Sequence, residues 1–501
     1  MITLLQEGNL STKLDGIGQS LTWLLPEVVL VITIVFLICY DLIFNKHKSI
    51  GLAAITFTGL GFAIFLSASQ WHKTTDVTLF EGLLHLDKLA LILKITFTAA
   101  LAGSILIATT AEKERADFFE SSEVNTLLFG VLVGSSFMVM STNLLLIYLS
   151  IEVVSICSYA LTAITKGRKK AEAGLKYLIY GAAASAIMLY GMSWLYGFTG
   201  TLDINSEAFL SGLQSVDAIP LSIAGLLTLV GLLFKLGAFP MHIWSPDVYE
   251  AAPIPIVSTF SILPKLAALG ILIRLSPAMT SSSIDWQLWI GMLAIASMTV
   301  GNFSALWQKD IKRMLAYSSI AQAGFLLVGL VAYSQTGFEA LLFYGLIYAI
   351  MNLGAFKLVQ LLENKKGSTK FEAFKGLGGE IPWLGILIVI VMISLTGLPP
   401  TVGFNAKLLI FSALFESYQT SPQTIYMLVL IFGLINTVIA LFYYLRLPYL
   451  MFLKSSEGRG ELTKGKPKEL ILGTLLTAPL LLLFFRSDWF VDLVNNISFG
   501  F

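Results

Sequence analysis

Charge is what this sequence has least of. Only 13% of its 501 residues are Asp, Glu, Lys or Arg, about half of the rough quarter usual in soluble domains. Hydrophobic residues make up 56%, and the mean hydropathy is +0.81. A water-soluble fold could not bury so much apolar surface without leaving large exposed patches. Lipid must be the solvent. The formal net charge of +1 leaves no basic domain for a nucleic-acid backbone. Cysteine is scarce: Cys39 and Cys157 lie far apart in apolar runs. With no Cys-x-x-Cys pair, iron–sulfur clusters and zinc ribbons are excluded. The histidines (His47, His72, His85 and His242) are scattered without metal spacing. No Walker A sequence occurs, and no Gly-x-Gly-x-x-Gly follows a strand pattern, so no nucleotide cradle is visible. No cofactor or metal is expected on this chain. The acidic, polar N-terminus does not read as a cleavable signal peptide.

Long apolar runs dominate what is present. A bilayer-spanning helix needs roughly 20 mostly apolar residues. Such runs fall near 22–44, 49–69, 82–110, 124–142, 144–164, 173–198, 219–240, 253–275, 286–306, 314–333, 338–362, 381–417, 423–446 and 469–488. The expected fold is therefore an all-α integral membrane protein of about fourteen transmembrane helices. Ser141-Thr142-Asn143 reads as a tight turn between two of them. The run 381–417 is too long for one straight helix and is interrupted by Leu398-Pro399-Pro400, so it is predicted to be a broken span. With this count, 21 of the 32 Lys and Arg residues fall on one side and 5 on the other, leaving 6 within spans. The positive-inside rule then places both termini outside the cytoplasm.

The six are Lys94, Lys176, Lys235, Lys265, Lys357 and Lys407. A charge at the bilayer centre costs at least ~2.5–3.5 kcal/mol, so each needs a reason. The bland reason is snorkelling, in which the stem lies in apolar surface and the ammonium reaches the headgroups. Lys357, a few residues from the end of its span, is expected to snorkel. For Lys94 and Lys176 both readings stay open. Lys235 lies deep in LTLVGLLFKLGAFPMHIW, five residues before Pro240. Lys265 follows Pro264, and Lys407 follows the prolines of TGLPPTVGFNAKLLIF. Broken helices survive in membranes only where they face protein or water. Three buried lysines near prolines read as a polar path.

Desolvation disfavours the charged form of a lysine, and a nearby carboxylate restores it. Glu152, in NLLLIYLSIEVVSICSYAL, reads as the only carboxylate deep inside a span, and so as the partner of Lys235. A purely structural ion pair is the alternative. Ser155, Ser158, Ser258, Thr259, Ser318, Ser319 and Asn436 could hold water between the charges, although serine is common in membrane helices.

Spans four to eight and nine to thirteen form two sets of five, and an odd number inverts the second set. In each, the fourth element is broken by proline and carries a lysine, Lys235 or Lys407. Inverted repeats with matched broken helices are a transporter signature. The expected organisation is N-terminal helices at 1–123, a first repeat at 124–275, a second at 276–446, and a C-terminal loop and helix at 447–501. This reading reaches an ion or proton transporter without naming the ion.

FKLGAFPMHIWSPDVYEAAP (Phe234–Pro253), QKDIKRMLAYSSIAQAG (Gln308–Gly324) and SLTGLPPTVGFNAK (Ser394–Lys407) resemble the antiporter-like membrane subunits of respiratory complex I. The resemblance covers nearly the whole chain. Within that family, PDVYE and Lys265 fit the subunit N branch of bacterial NADH–quinone oxidoreductase; other branches more typically carry PDAH and a histidine there. The resemblance implies a pKa-modulating role for Glu152, a proton-carrying role for Lys235, a connecting role for Lys265 and an exit-facing role for Lys407. Lys176 fits a lysine helping proton uptake. It implies NAD, FMN, iron–sulfur clusters and quinone in partner subunits, with other antiporter-like subunits, the bilayer and protons as partners. It also implies a bacterial inner-membrane location. The rival is an Mrp-type Na⁺/H⁺ antiporter subunit; an inert scaffold is a third reading.

The charge asymmetry yields a direct test. Reporter fusions at Lys169 and Ser211 should read opposite sides, inside and outside; one side for both would mean the span count is wrong.

Overall fold

Backbone in hydrocarbon has no water to bond, so it must satisfy its polar groups within helices or closed barrels. The computed structural model is accordingly helical almost throughout. It describes residues 14–44, 48–73, 76–110, 121–164, 167–454 and 467–499. Lys13, Lys46, Lys113, Arg115, Lys166, Arg459, Lys464 and Lys466, which entered the charge asymmetry, lie outside the described residues.

The helices are α1 (Leu25–Ile43), α2 (Lys48–Gln70), α3 (Lys88–Thr109), α4 (Ser122–Met140), α5 (Leu144–Ala163) and α6 (Arg168–Thr199). There follow α7 (Ala218–Leu236), α8 (Trp244–Ala251), α9 (Ile254–Thr280), α10 (Trp286–Leu306), α11 (Ile311–Ala332) and α12 (Gln335–Lys366). The last are α13 (Pro382–Thr396), α14 (Val402–Thr420), α15 (Thr424–Leu453), α16 (Pro467–Phe485) and α17 (Asp488–Asn495). Among the described residues, 13 helices are long and apolar enough to cross a membrane. The fourteenth expected span is the broken one, divided into α13 and α14 at Leu398-Pro399-Pro400.

One boundary differs from expectation. The run 82–110 becomes helical only at Lys88, because Asp87 caps α3 by accepting from the Ala90 N–H at 2.8 Å. Before it, Val77–Leu79 and Leu84–Leu86 pair as an antiparallel hairpin. The Ser141-Thr142-Asn143 turn is as expected, with Asn143 accepting from the Leu145 N–H at 3.0 Å to start α5.

Burial orders the helices into layers. The most apolar stretch of α9 is 100% buried, that of α11 94% and that of α12 89%. The figures for α1, α2, α15 and α16 are 22–33%. Helices apolar all round belong inside, and α9, α11 and α12 form the interior. Outward side chains such as Phe36, Phe65, Val438 and Phe442 are exposed and apolar, as a lipid-facing surface requires.

Two helix breaks share one closure. α7 ends at Gly237, whose φ of 61° is left-handed, and the Ala238 N–H bonds the Leu233 carbonyl at 3.0 Å. α13 ends at Gly397, φ 85°, with the Leu398 N–H bonding the Ile393 carbonyl at 3.2 Å. Glycine suits both because it enters this region without steric cost. The Phe239–Pro240 and Pro399–Pro400 peptides are cis. Pro264, by contrast, breaks nothing: α9 runs through it. Its missing N–H leaves the Phe260 carbonyl without its usual helical donor, which a helix enclosed by protein tolerates.

A Cβ on Gly397 would lie 2.6 Å from Lys407 Cδ. Gly397→Ala should therefore destabilise the protein by about 1–2 kcal/mol or more, lowering the melting temperature of the detergent-purified complex. Gly379→Ala, where a Cβ meets nothing within 4 Å, should leave it unchanged.

Candidate functional site

Five of the six in-span lysines are enclosed by the protein: Lys94, Lys235, Lys265, Lys357 and Lys407 are 0–4% exposed. Lys176 differs, with its side chain 42% exposed. What holds each ammonium decides what it can do.

Lys235 ends α7, directed at α5. Its Nζ donates to Ser155 Oγ at 2.6 Å and lies 5.8 Å from the ring centres of Tyr159 and Phe234. Glu152 sits one turn before Ser155. Its Oε1 is sealed from solvent and has no hydrogen-bond partner among the described residues. Lys235 and Glu152 interact electrostatically, but no direct ion pair, the alternative that the sequence left open, joins them in this structure. The serine takes the ammonium instead, because it is the nearer acceptor on the facing turn.

Lys265 extends from α9 to α11, where its Nζ donates to the Ser319 carbonyl at 2.8 Å. It also approaches the end of the α7 break, since a Cβ on Gly237 would lie 3.7 Å from this Nζ. The Ser319 hydroxyl meets Tyr348 OH at 3.0 Å and Tyr249 OH at 3.3 Å. Its neighbour Ser318 bonds Tyr444 OH. One turn on, Gln322 Nε2 donates to Tyr444 OH at 3.3 Å and to the Leu395 carbonyl at 2.9 Å, while its Oε1 accepts from Tyr344. The adjoining Thr396 carbonyl accepts from Lys407 Nζ at 2.8 Å. Lys407 Nζ lies 4.0 Å above the Phe325 ring, a cation–π contact. Ser318, Ser319 and Gln322 on α11 thus connect the surroundings of Lys265 to those of Lys407.

Lys176 stands apart at a charged mouth. It pairs with Glu172 at 3.0 Å and Asp247 at 3.2 Å. Arg313 pairs with Asp247 and Glu250, each at 2.9 Å. Lys169, Lys170, Lys176, Asp247 and Glu250 line a cavity of about 370 Å³ there. Asp247 and Glu250 lie on α8, as does Tyr249, which reaches inward to Ser319.

Two further expectations are corrected. Lys357 does not snorkel. It is 0% exposed, with Nζ donating to Thr110 Oγ1 at 2.5 Å and Gln360 Oε1 at 3.1 Å. Its helix packs against α3, α9 and α16, which leaves this side chain no lipid to run along. Nor does Glu152 stand alone as a carboxylate within a span. Glu27, at the start of α1, is 2% exposed and pairs with Lys94 at 2.7 Å, which gives Lys94 a partner.

Of the smaller polar residues, Ser155, Ser318 and Ser319 join the row. Ser158 and Thr259 bond carbonyls of their own helices. Ser258 bonds Ser104. Asn436 belongs to a separate cluster in which Asn302 Nδ2 donates to its Oδ1 at 3.0 Å. Sequence reasoning passed over Gln322, Tyr249, Tyr344, Tyr348 and Tyr444. A glutamine inside the apolar run 314–333 was a readable signal; tyrosines in such runs look like packing.

A helical membrane protein with lysines enclosed at two broken helices is an ion-translocating class of molecule. Comparison with known proteins narrows the class. Residues 141–439 match the family described as NADH:quinone oxidoreductase/Mrp antiporter, transmembrane. NADH-quinone oxidoreductase subunit N of Chlorobium chlorochromatii is 34% identical, covering 98% of this chain and 97% of the relative. Subunit N 2 of Sorangium cellulosum is 38% identical over 91% of this chain and 92% of its own. Among solved structures, a chain of respiratory complex I from Thermus thermophilus with bound aureothin has a TM-score of 0.77 at 27% identity, covering 93% of this chain and 99% of that one. A chain of the Dietzia Mrp complex shares the fold, with a TM-score of 0.79 at 19% identity, covering 94% and 96%. The chain belongs to the NADH:quinone oxidoreductase/Mrp antiporter family of membrane subunits.

Gln322→Leu would strand the buried hydroxyl of Tyr344, whose acceptor is Gln322 Oε1, while Tyr444 would keep its bond to Ser318. Leaving a buried polar group unpaired costs about 1–3 kcal/mol. The variant should melt lower in detergent and take up protons more slowly in membrane vesicles.

Proposed function

We propose that this chain is the proton-conducting subunit N of a bacterial NADH–quinone oxidoreductase, carrying protons along Glu152, Lys235, Lys265 and Lys407, with Lys176 at the uptake mouth. The observation that carries this reading is the manner in which Lys235, Lys265 and Lys407 are held. Each ammonium rests on neutral oxygens: a serine hydroxyl or a backbone carbonyl. A lysine so placed can gain or lose its proton without stranding an anion beside it, as a structural ion pair could not.

The cycle runs as follows. Neutral Lys235 accepts a proton when the Glu152 carboxylate is near enough to favour the charge. Moving Lys235 off Ser155 and away from Glu152 removes that support, and the proton passes through water to Lys265. The hydroxyls of Ser319, Tyr348, Ser318 and Tyr444, with Gln322, orient water between Lys265 and Lys407. Repulsion between neighbouring ammonium groups drives the final release. NADH oxidation and quinone reduction, with FMN and iron–sulfur clusters, take place in partner subunits. Their energy arrives through conformational or electrostatic change in a neighbouring membrane subunit. The basic-rich side faces the cytoplasm, both termini lie outside, and the membrane is the bacterial inner one. The two inverted repeats at 124–275 and 276–446 would each supply one broken helix to this path.

Glu152 and Lys235 should act as a unit. Glu152→Gln and Lys235→Ala should each strongly reduce proton uptake and coupled quinone reduction in membranes, with assembly intact on native gels. The double variant should lose much less than the sum, because groups on one path are non-additive. Fully additive losses would assign them to separate paths, and wild-type activity in both single variants would leave them a structural role alone. Na⁺-dependent exchange without NADH-driven pumping would favour the Mrp-type reading.

A further inference from the structure

Lys357 is an enclosed lysine that the path above does not use. A permanent ammonium ion there would be costly, because a charge enclosed by protein without a counter-ion in contact loses its hydration uncompensated. Its contacts are the oxygens of Thr110 and Gln360, which also bond one another at 3.2 Å. No ion pair within 4.0 Å holds Lys357 among the described residues, although Glu469 on α16 acts on it across the seam. An anchoring role would not need a group that titrates, since a neutral N–H donor also bonds hydroxyl and amide oxygens.

The surroundings continue inward. Thr110 follows the last turn of α3, six residues past Ser104, and Ser104 Oγ donates to Ser258 Oγ on α9 at 3.1 Å. Ser258, Ser261 and Lys265 are spaced i, i+3, i+7, so they share one face of α9. All three are buried. The same α3 helix lies close to α12, where a Cβ on Gly103 would sit 3.0 Å from Leu353. The seam between α3, α9 and α12 therefore places oxygens between the end of α3 and the face of α9 that carries Lys265, with the Ser261 hydroxyl resting on the Ser258 carbonyl at 2.8 Å. It reaches Lys265 without passing Lys235.

We infer that Lys357 is a proton-carrying residue of a second inlet, which loads Lys265 through Ser104, Ser258 and Ser261. The neutral amine takes a proton from water at the Thr110 and Gln360 end. It returns the proton to water in the seam, and water oriented by the serine hydroxyls passes it to the neutral amine of Lys265. No bond other than O–H and N–H is made or broken. The inference rests on the proposed function, since it requires Lys265 to titrate.

The test uses the intact complex in sealed inverted membrane vesicles, reading initial proton uptake, NADH-driven quinone reduction and assembly on native gels. Lys357→Gln keeps an N–H donor facing Thr110 and Gln360 but cannot carry a proton. Proton uptake should fall by up to about two-fold, as expected when one of two parallel routes closes, with assembly unchanged. Ser258→Ala leaves the lysine in place, should show the same loss, and should add little to Lys357→Gln because both lie on one route. Should Lys357→Gln assemble poorly, Ser258→Ala decides alone. Wild-type uptake in Lys357→Gln would make Lys357 a structural post and overturn the inlet, as would wild-type uptake in Ser258→Ala. Lys235→Ala separates the two readings: if it is impaired while Lys357→Gln and Ser258→Ala are normal, only the inlet is wrong. If Lys235→Ala also pumps normally, the proposed function itself fails.

Discussion

An ammonium ion cannot be left in hydrocarbon, so every in-span lysine must be walled in by protein or brought to the water. Much of the architecture meets that demand. Lys265 lies on α9, the most enclosed helix, and its acceptor lies on α11, the next most enclosed. Lys235 and Lys407 flank the two breaks, where the backbone leaves its helical ladder and offers oxygens. The lipid-facing helices carry the apolar bulk that shields this interior. Lys176 sits at a charged mouth, satisfied by Glu172 and Asp247, and needs no such wall.

How much of this was legible in the sequence follows from the same demand. Long apolar runs mark spans because lipid admits little else, and a lysine within one is conspicuous against that background. Lys235, Lys265 and Lys407 could therefore be singled out from order alone, as could the break at Pro399-Pro400. What holds each lysine could not. Ser155 was readable as polar, but which face of α5 meets α7 depends on packing angles that the chain order does not encode. Gln322 and the tyrosines around it form a row only because α11, α12 and α15 converge. Lys357 shows the same limit from the other direction. Its distance to the end of its span suggested lipid within reach, yet only the packing of α12 against α3 and α16 reveals that none is.

The family to which the chain belongs spans redox-linked complexes and ion exchangers, and the fold is common to both. In this chain a buried lysine, Lys265, occupies the middle of α9. Glu152 is kept free of a direct cation by a single hydroxyl, so the electrostatic support that it lends to Lys235 changes with a small displacement of one side chain. A fold that moves charge by such short steps needs no large domain motion inside this subunit.

Two of the three lysines on the proposed path end on backbone carbonyls, Lys265 on Ser319 and Lys407 on Thr396. A carbonyl oxygen receives a hydrogen bond but has no proton to hand on. In the arrangement described, each of these contacts is therefore an insulator in series with the hydroxyls and amide around it. A membrane held under an electrochemical gradient is short-circuited by any continuous chain of donors and acceptors across it. Capping the lysines with carbonyls keeps the resting subunit closed to back-flow, so that conduction requires the side chain to leave its cap.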